Sequence, residues 1–265
     1  MSGSGGYRWV RRSPRERLVR FLTWLVVVAV LVWSVRDVDI FWPWVVSAPV
    51  QIADLLGRMT PPDASNLDLI LAAMVQTIHI ATLATLLALV LALPVAYLAA
   101  RNTSPNAATL ALGRLIVVSS RSVNTIIWAL LFVAIFGPGP LAGILAVAFR
   151  SIGFLGKLIA EGIEEIDPRP VEAMEATGAG QGKVIAYGVV PQVLPTFFAV
   201  SILRWDVNSR ESTVLGLVGA GGIGLLLQGA IDTFKWREVS LILIAILIVV
   251  VVGELVSGWL RDKVI

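Results

Sequence analysis

The sequence predicts an all-α integral membrane protein with about six transmembrane helices. Hydrophobic residues make up 57% of the chain and charged residues only 15%, and the mean hydropathy is +0.85. Soluble domains carry about 45–50% apolar and about 25% charged residues. The apolar residues lie in long continuous runs, such as residues 239–252, and not in the alternating pattern of a membrane β-barrel.

Six apolar segments are candidates for the membrane spans, because each approaches the length that a helix needs to cross the bilayer. They are residues 18–35, 67–100, 112–136, 141–162, 192–207 and 239–260. The second segment would be about 50 Å long as a helix at ~1.5 Å per residue, so we expect it to tilt, to bend at Pro94 or to project beyond the bilayer. The glycine-rich residues 214–227 predict a re-entrant or broken helix in the outer half of the membrane.

Basic residues predict that both termini are cytoplasmic, since loops on that side carry an excess of lysine and arginine. The first span has Arg8, Arg11, Arg12, Arg15 and Arg17 before it and Arg20 in its first turn, and the last span is followed by Arg261 and Lys263. Few basic residues fall in the segments expected outside, namely Arg36, Arg58, Lys235 and Arg237. We therefore expect a cytoplasmic basic tail over residues 1–17. A first transmembrane helix (a retained signal anchor) and an external amphipathic segment follow over residues 18–66, and a helical core occupies residues 67–265.

A polar elbow at residues 164–191 separates the fourth and fifth spans, and the predicted topology places it in the cytoplasm. Asp167 is a good N-cap for a short helix, and Pro168 suits the first helical position. Gly178 can adopt the left-handed conformation that ends a helix. A second helical run over residues 181–190 is expected to stop at Pro191 and Pro195.

Several classes of function are excluded by what the sequence lacks. There are no cysteines, which removes disulfides, thiolate catalysis and cysteine-ligated metals. A lone His79 without carboxylate neighbours indicates no metal site and no catalytic residues. No Walker A motif is present, and no basic stripe with aromatic residues indicates nucleic-acid binding.

The glycines of residues 219–224 match the dinucleotide-binding spacing G-x-G-x-x-G but follow no predicted strand. Close backbone packing or a flexible gate beside a pore explains them better, because irregular backbone is tolerated in a membrane where protein surrounds it. The candidate gate residues are Gly219, Gly221, Gly222 and Gly224.

Polar residues inside the predicted spans are candidates for a translocation path, since an arginine at the bilayer centre costs about 2.5–3.5 kcal/mol on insertion scales. The candidates are His79, Arg121, Asn124, Arg150, Arg204, Arg210 and Glu211. One interpretation is structural: Arg204 or Arg210 pairs with Asp206 or Glu211 to hold helices together, and His79 makes a hydrogen bond between helices. The other is an anion path, because guanidinium groups suit phosphate-like oxyanions. Arg121 and Arg150 are the better candidates for the path, since neither has an acidic residue nearby in the sequence.

The elbow resembles the EAA signature of bacterial ABC importer permeases, E-A-A-x3-G-x9-I-x-L-P. Glu172, Ala173, Gly178 and Pro191 match it, whereas Met174, Gly188 and Val190 replace its third alanine, isoleucine and leucine. Beyond the elbow, the runs GFLGKLIAEGIEEIDPRPVEAMEATGA, VVPQVLP and ESTVLGLVGAGGIG are similar to the permease subunit of phosphonate importers, which is related to the methionine-importer type. The similarity covers about residues 67–261.

The resemblance implies a type I ABC importer permease fold in the bacterial inner membrane and a chain that is not itself an enzyme. It implies a second permease copy (identical or related), two ATPase subunits that bind ATP and Mg, and a periplasmic or lipid-anchored binding protein that delivers the substrate. This chain would bind no cofactor and no nucleic acid. The residues implied in ATPase coupling are Glu172, Ala173, Ala176 and Gly178, and the implied cargo is a phosphonate-like or phosphite-like oxyanion.

Three alternatives stay open at this point. The permease could carry another small solute, such as phosphate or an amino acid. A stand-alone channel or secondary transporter would favour acidic relays and an internal inverted repeat, and neither is clear in the sequence. A membrane enzyme acting on lipid phosphates would need a constellation of histidine and carboxylate residues that the chain does not offer.

Overall fold

The computed structural model describes residues 14–264, and within that range the regular structure is entirely helical. The α-helices are α1 (Pro14–Asp37), α2 (Trp42–Met59), α3 (Leu67–Ala99), α4 (Ala107–Ser122), α5 (Thr125–Phe136), α6 (Pro140–Glu164), α7 (Pro168–Ala176), α8 (Gln181–Val184), α9 (Val190–Leu215), α10 (Ile223–Asp232) and α11 (Trp236–Val264). A π-helix (Ile185–Val189) joins α8 to α9, and a 3-10 turn (Gly216–Val218) follows α9. Most of the predicted basic tail, residues 1–13, lies outside the described residues.

The chain divides into two compact units between Leu56 and Gly57. In the first unit, α1 has no buried residue and its apolar side chains are exposed along its length. Such a surface is typical of a helix that faces lipid. The second unit contains α3 to α11 and every functional candidate named above.

Five helical segments are long and apolar enough to cross a membrane, or six if a bent pair counts as one span. The expected number of spans is thus confirmed, but the third span is not one straight helix. α4 and α5 meet at 90°, where Val123 and Asn124 adopt extended conformations. The Asn124 side chain accepts a hydrogen bond from the backbone N–H of Ile126 and so caps a new helix.

Small residues place α6 at the centre of the second unit, where it packs against α3, α4, α5 and α9. On α3, Ala84, Ala88, Ala92 and Ala96 recur every four residues and are fully buried. On α6, a Cβ added to Gly153 would lie 2.6 Å from the Val117 carbonyl oxygen of α4. Without large side chains between them the helix backbones approach closely, as is common in membrane helix packing.

The second unit has two distinct ends. At the elbow end, Glu164 closes α6 and accepts hydrogen bonds from the Arg101 backbone N–H (2.8 Å) and the Arg114 side chain (3.2 Å). At the glycine-rich end, the segment after α9 meets the first turn of α6 and the N-terminal half of α3. α3, α6 and α9 connect the two ends.

The expectation that the second helical run of the elbow stops at Pro191 and Pro195 is wrong. The run passes through the π-helix directly into α9, with Pro191 in the first turn and Pro195 inside the helix. Just before Pro191 the hydrogen bonding is of the π-helical type, since the Val190 backbone N–H bonds to the carbonyl of Ile185. The fifth span therefore extends from the elbow to the glycine-rich end, well beyond the expected residues 192–207.

Candidate functional site

The elbow presents α7 as a short capped helix on the surface. Asp167 accepts a hydrogen bond from the Arg169 backbone N–H at 3.0 Å, which caps the helix as expected. The Arg169 side chain also donates to this carboxylate, and this contact holds the pKa of Asp167 below its ordinary value. Gly178 ends the segment with a φ of +76°, the left-handed conformation that favours glycine.

The residues implied in ATPase coupling all face outward. No residue of α7 is buried, and Glu172, Ala173, Ala176 and Gly178 are exposed. A Cβ added to Gly178 would have no atom within 4 Å. One side of α7 is therefore not covered by the rest of the second unit. The coupling role of these four residues stays a prediction.

Gln192 fixes the elbow to the start of α9, and sequence reasoning missed it. Its side-chain oxygen accepts from the Asp167 backbone N–H at 3.0 Å, and its Nε2 donates to the backbone carbonyls of Asp167 (3.2 Å) and Gly188 (2.7 Å). Gly188 itself packs against α7, since an added Cβ would lie 3.3 Å from Val171 Cα. These contacts join the start of α7 to the base of α9.

A partly buried polar cluster lies between the two ends of the second unit. Arg150 on α6 donates to Glu211 Oε1 of α9 at 3.1 Å and to the Thr125 hydroxyl of α5 at 2.8 Å. The Thr125 hydroxyl in turn donates to Glu211 Oε2 at 2.8 Å. Arg150 is therefore paired with an acidic residue that lies far from it in the sequence.

A second arginine approaches the same carboxylate from within the protein. Arg204 is almost fully buried, its Nη2 lies 3.6 Å from Glu211 Oε2, and its Nε donates to the Ser151 hydroxyl at 2.8 Å. The Arg204 guanidinium also lies over the Phe154 ring, 5.2 Å from the ring centroid. Arg210 pairs separately with Asp206 one turn away. Both pairings considered from the sequence thus form, and whether the residues also line a path stays a prediction.

Neutral polar side chains extend the cluster to α3. Ser151 donates to Asn208 Oδ1 at 3.1 Å, and Asn208 Nδ2 donates to the Thr85 hydroxyl at 2.8 Å. Thr125, Ser151 and Thr85 were missed because a single hydroxyl in an apolar run is ambiguous. Their partners lie on other helices, so only the folded structure identifies them.

The other path candidates lie apart from this cluster. Arg121 is exposed and lines a cleft of about 580 Å³ toward the elbow end, which also contains Arg114, Lys157 and Glu161. Asn124 is exposed at the bend between α4 and α5. His79 is exposed on α3, and among residues 14–264 its side chain makes none of the hydrogen bonds expected between helices.

The glycine-rich segment is packed against its surroundings. Gly219, Gly221 and Gly222 have φ values of +83°, +82° and +75°. The backbone N–H groups of Gly222 and Ile223 donate to the Gln76 and Thr77 side chains of α3 at 3.0 and 2.8 Å. This arrangement agrees with close backbone packing, and the gate role of the four glycines stays a prediction.

Titratable side chains offer no metal centre within residues 14–264, where no group of three histidine or acidic residues is positioned to hold an ion. The cluster around Glu211 is instead built from guanidinium, hydroxyl and amide groups. Of these groups only the two guanidinium groups donate hydrogen bonds without accepting any.

The chain is similar to several transport permeases over most of its length. A putative phosphite transport system permease of Stutzerimonas stutzeri is 38% identical over 254 residues, covering 95% of this chain and 89% of that protein. A phosphite transport system permease of the same organism is 42% identical over 211 residues, covering 80% and 77%. A phosphate-import permease of Mycolicibacterium smegmatis is 39% identical over 263 residues, and the chain spans only 48% of its length.

Solved structures show the same fold at low sequence identity. A methionine ABC transporter in an inward-facing conformation aligns with a TM-score of 0.65 at 20% identity, covering 77% of this chain and 99% of that one. An amino acid ABC transporter aligns with a TM-score of 0.63 at 17% identity, covering 76% and 96%.

The family model described as the binding-protein-dependent transport system inner membrane component matches residues 92–264. This match includes the elbow, the three charged residues Arg150, Arg204 and Glu211, and the glycine-rich segment. The chain belongs to this family and is a multi-pass inner-membrane permease subunit of an ABC importer, with the type I importer permease fold.

Proposed function

We propose that this permease translocates small phosphorus oxyanions, of the phosphite, phosphonate or phosphate type, delivered by a substrate-binding protein. The names of its relatives supply the substrate class, since they are permeases for phosphite and phosphate. ATP and Mg are bound by two separate ATPase subunits, and a second permease copy completes the pathway. In this assembly the chain itself binds no nucleotide.

The structural observation that supports an anionic substrate is the pair of arginines around one carboxylate, on helices long and apolar enough to cross the membrane. Arg150 and Arg204 both approach Glu211, so the three side chains together have an excess of one positive charge. An intramembrane ionisable group is expensive and usually functional. Guanidinium groups recognise phosphate-type oxygens with two parallel hydrogen bonds, so this cluster suits an anion that passes it.

The elbow supports the proposal that separate ATPase subunits bind ATP and drive this permease. Its uncovered helix α7 is suited to a groove on an ATPase, and the Gln192 contacts provide a rigid connection into α9. Because α9 carries Arg204 and Glu211, an ATP-driven displacement of α7 reaches the polar cluster along a single element. Switching transitions of this kind proceed by rigid-body motion of packed helices.

The proposal is tested by reconstituting the permease with its ATPase and binding protein in liposomes. We expect ATP-dependent uptake of at least one of phosphite, methylphosphonate and phosphate, measured with the three anions in parallel, and no uptake of methionine. Uptake of methionine with none of the three anions would overturn the substrate class while leaving the permease assignment intact.

The same assay separates phosphate from its close analogues, an alternative favoured by the mycobacterial relative. Adding unlabelled phosphite or phosphate in excess during uptake of the other anion gives the order of preference. If phosphate alone is taken up and phosphite does not compete, the permease is a phosphate carrier.

A further inference from the structure

Glu211 has contacts that a bound oxyanion would have. One carboxylate oxygen accepts from Arg150, and the other accepts from the Thr125 hydroxyl. Arg204 Nη2 lies 3.6 Å from the second oxygen, and this buried nitrogen has no hydrogen-bond partner. A carboxylate thus occupies a site with three donor groups, and one of these donors is left unsatisfied.

The cluster has an excess positive charge that a second anion would neutralise. Arg150 and Arg204 carry two positive charges against the single negative charge of Glu211, and the adjoining Asp206–Arg210 pair is neutral in sum. A buried charged donor without a partner is costly because it has lost its hydration. A tetrahedral oxyanion offers more acceptor oxygens than a carboxylate and could satisfy Arg204 Nη2 as well.

The three charged side chains of the cluster differ in solvent exposure, and this difference indicates which of them an arriving anion meets first. The Arg150 side chain is 35% exposed and the Glu211 side chain 21%, whereas Arg204 is only 4% exposed. An anion that arrives from outside the cluster therefore meets Arg150 and the Glu211 carboxylate first. Arg204 lies behind them.

We propose that Glu211 is an internal substitute for the transported oxyanion, which competes with it for Arg150, Arg204 and Thr125. This inference rests on the proposed function and adds a binding site with a resident competitor to it. The arriving anion displaces the carboxylate from the guanidinium groups, and the carboxylate returns when the anion leaves. Competition keeps the site weak, so the anion is released and not retained.

A purely structural ion pair makes a different prediction from a competitor. If the cluster only holds α5, α6 and α9 together, loss of either partner weakens the assembly in the same way. If Glu211 competes with the substrate, loss of the carboxylate and loss of the guanidinium have opposite effects on anion binding. The direction of the change therefore distinguishes the two roles.

The test measures binding of radiolabelled phosphate, and of phosphite by competition, to the purified permease–ATPase complex without binding protein. We expect Glu211→Gln to bind the anion about tenfold more tightly and Arg150→Gln at least about tenfold more weakly, because one removes a competitor and the other a charged donor. Glu238→Gln is the matched control, since Glu238 is also a partly buried carboxylate beside a basic residue, and it should leave binding unchanged.

Uptake by the reconstituted transporter supplies the second readout. We expect Glu211→Gln to lower the maximal rate about tenfold through slow release of a tightly bound anion, with the complex still assembled. If the wild type takes up the anion and Glu211→Gln binds it no more tightly, the competitor role is overturned and the proposed function stands. If the wild type takes up none of the three phosphorus anions, the proposed function fails and the inference falls with it.

Discussion

The elbow and the glycine-rich segment share a turn with left-handed glycines between two helices but differ in what surrounds them. Both are helix–turn–helix breaks with glycines in the left-handed conformation, Gly178 in one and Gly219, Gly221 and Gly222 in the other. Gly178 has open space where a side chain would be. At Gly224, in contrast, an added Cβ would lie 2.2 Å from the Thr213 carbonyl oxygen.

The two segments contain glycine for different structural reasons. In the elbow, glycine provides a backbone conformation, and the space around it is free for another protein. In the glycine-rich segment, glycine also provides room, because Gly216 and Gly224 bring two backbone segments into contact. The elbow thus has the open space that the proposed docking of an ATPase needs. The glycine-rich segment is packed internally, and the proposed gating movement would have to separate its two backbone segments.

The largest effect is expected in the packing joint. Replacing Gly224 by Val should destabilise the protein by about 1–3 kcal/mol or more, because the new side chain meets backbone that cannot rotate away. Thermal unfolding of the purified protein in detergent measures the loss. Gly229→Val is the control, since no atom lies within 4 Å of the added Cβ there, and equal stability of the two variants would contradict the packing role.

A smaller effect on stability, but a complete loss of uptake, is expected in the elbow. Gly178→Val forces a β-branched residue into the left-handed conformation, at about 1–2 kcal/mol, and changes the surface offered to the ATPase. We expect ATP-dependent uptake to disappear while membrane insertion is retained. Gly182→Ala is the control, because Gly182 also has open space but no positive φ. Full uptake by Gly178→Val would count against the coupling role.

The smallest effect is expected at the connection between the elbow and α9. Gln192→Ala removes three hydrogen bonds to backbone groups, and each such bond contributes about 0.5–1.5 kcal/mol. We expect ATP hydrolysis to continue with less uptake per ATP, since α7 would move without displacing α9. Uptake and hydrolysis measured together report this ratio.

The exposed Gln181 at the start of α8 gives the matched substitution. Gln181→Ala should leave the ratio of uptake to hydrolysis unchanged. An unchanged ratio in Gln192→Ala would show that the coupling does not pass through this side chain.

The helices that have a clear local signal in the sequence were predicted. The long apolar runs predict α3, α6 and α11, and Asp167, Pro168 and Gly178 place the elbow helix correctly. The bend after α4 was missed, although the polar run SSRSVNT contained its signal: Asn124 is a good N-cap and begins a second helix. Averaging the hydropathy over residues 112–136 gives a single apolar segment and so hides such a break.

The polar cluster could be predicted only in part. The arginines were identified because a charge in an apolar span is conspicuous, but Arg150 and Glu211 lie on different helices, and no periodicity connects them. Gln192 carried no signal, since its role depends on backbone groups that the fold brings near. Residue types therefore indicated which side chains are energetically costly to place in a membrane span, and tertiary packing determined their partners.

The most direct test of the coupling role uses the absence of cysteine from the chain. A single cysteine at Glu175 in the elbow or at Thr233 after α10, both exposed, can carry a photo-crosslinker in the assembled transporter. We expect the probe at Glu175 to cross-link to the ATPase and the probe at Thr233 not to do so. Cross-linking to the ATPase from Thr233 and none from Glu175, in a complex that still contains the ATPase, would contradict the elbow as the coupling element.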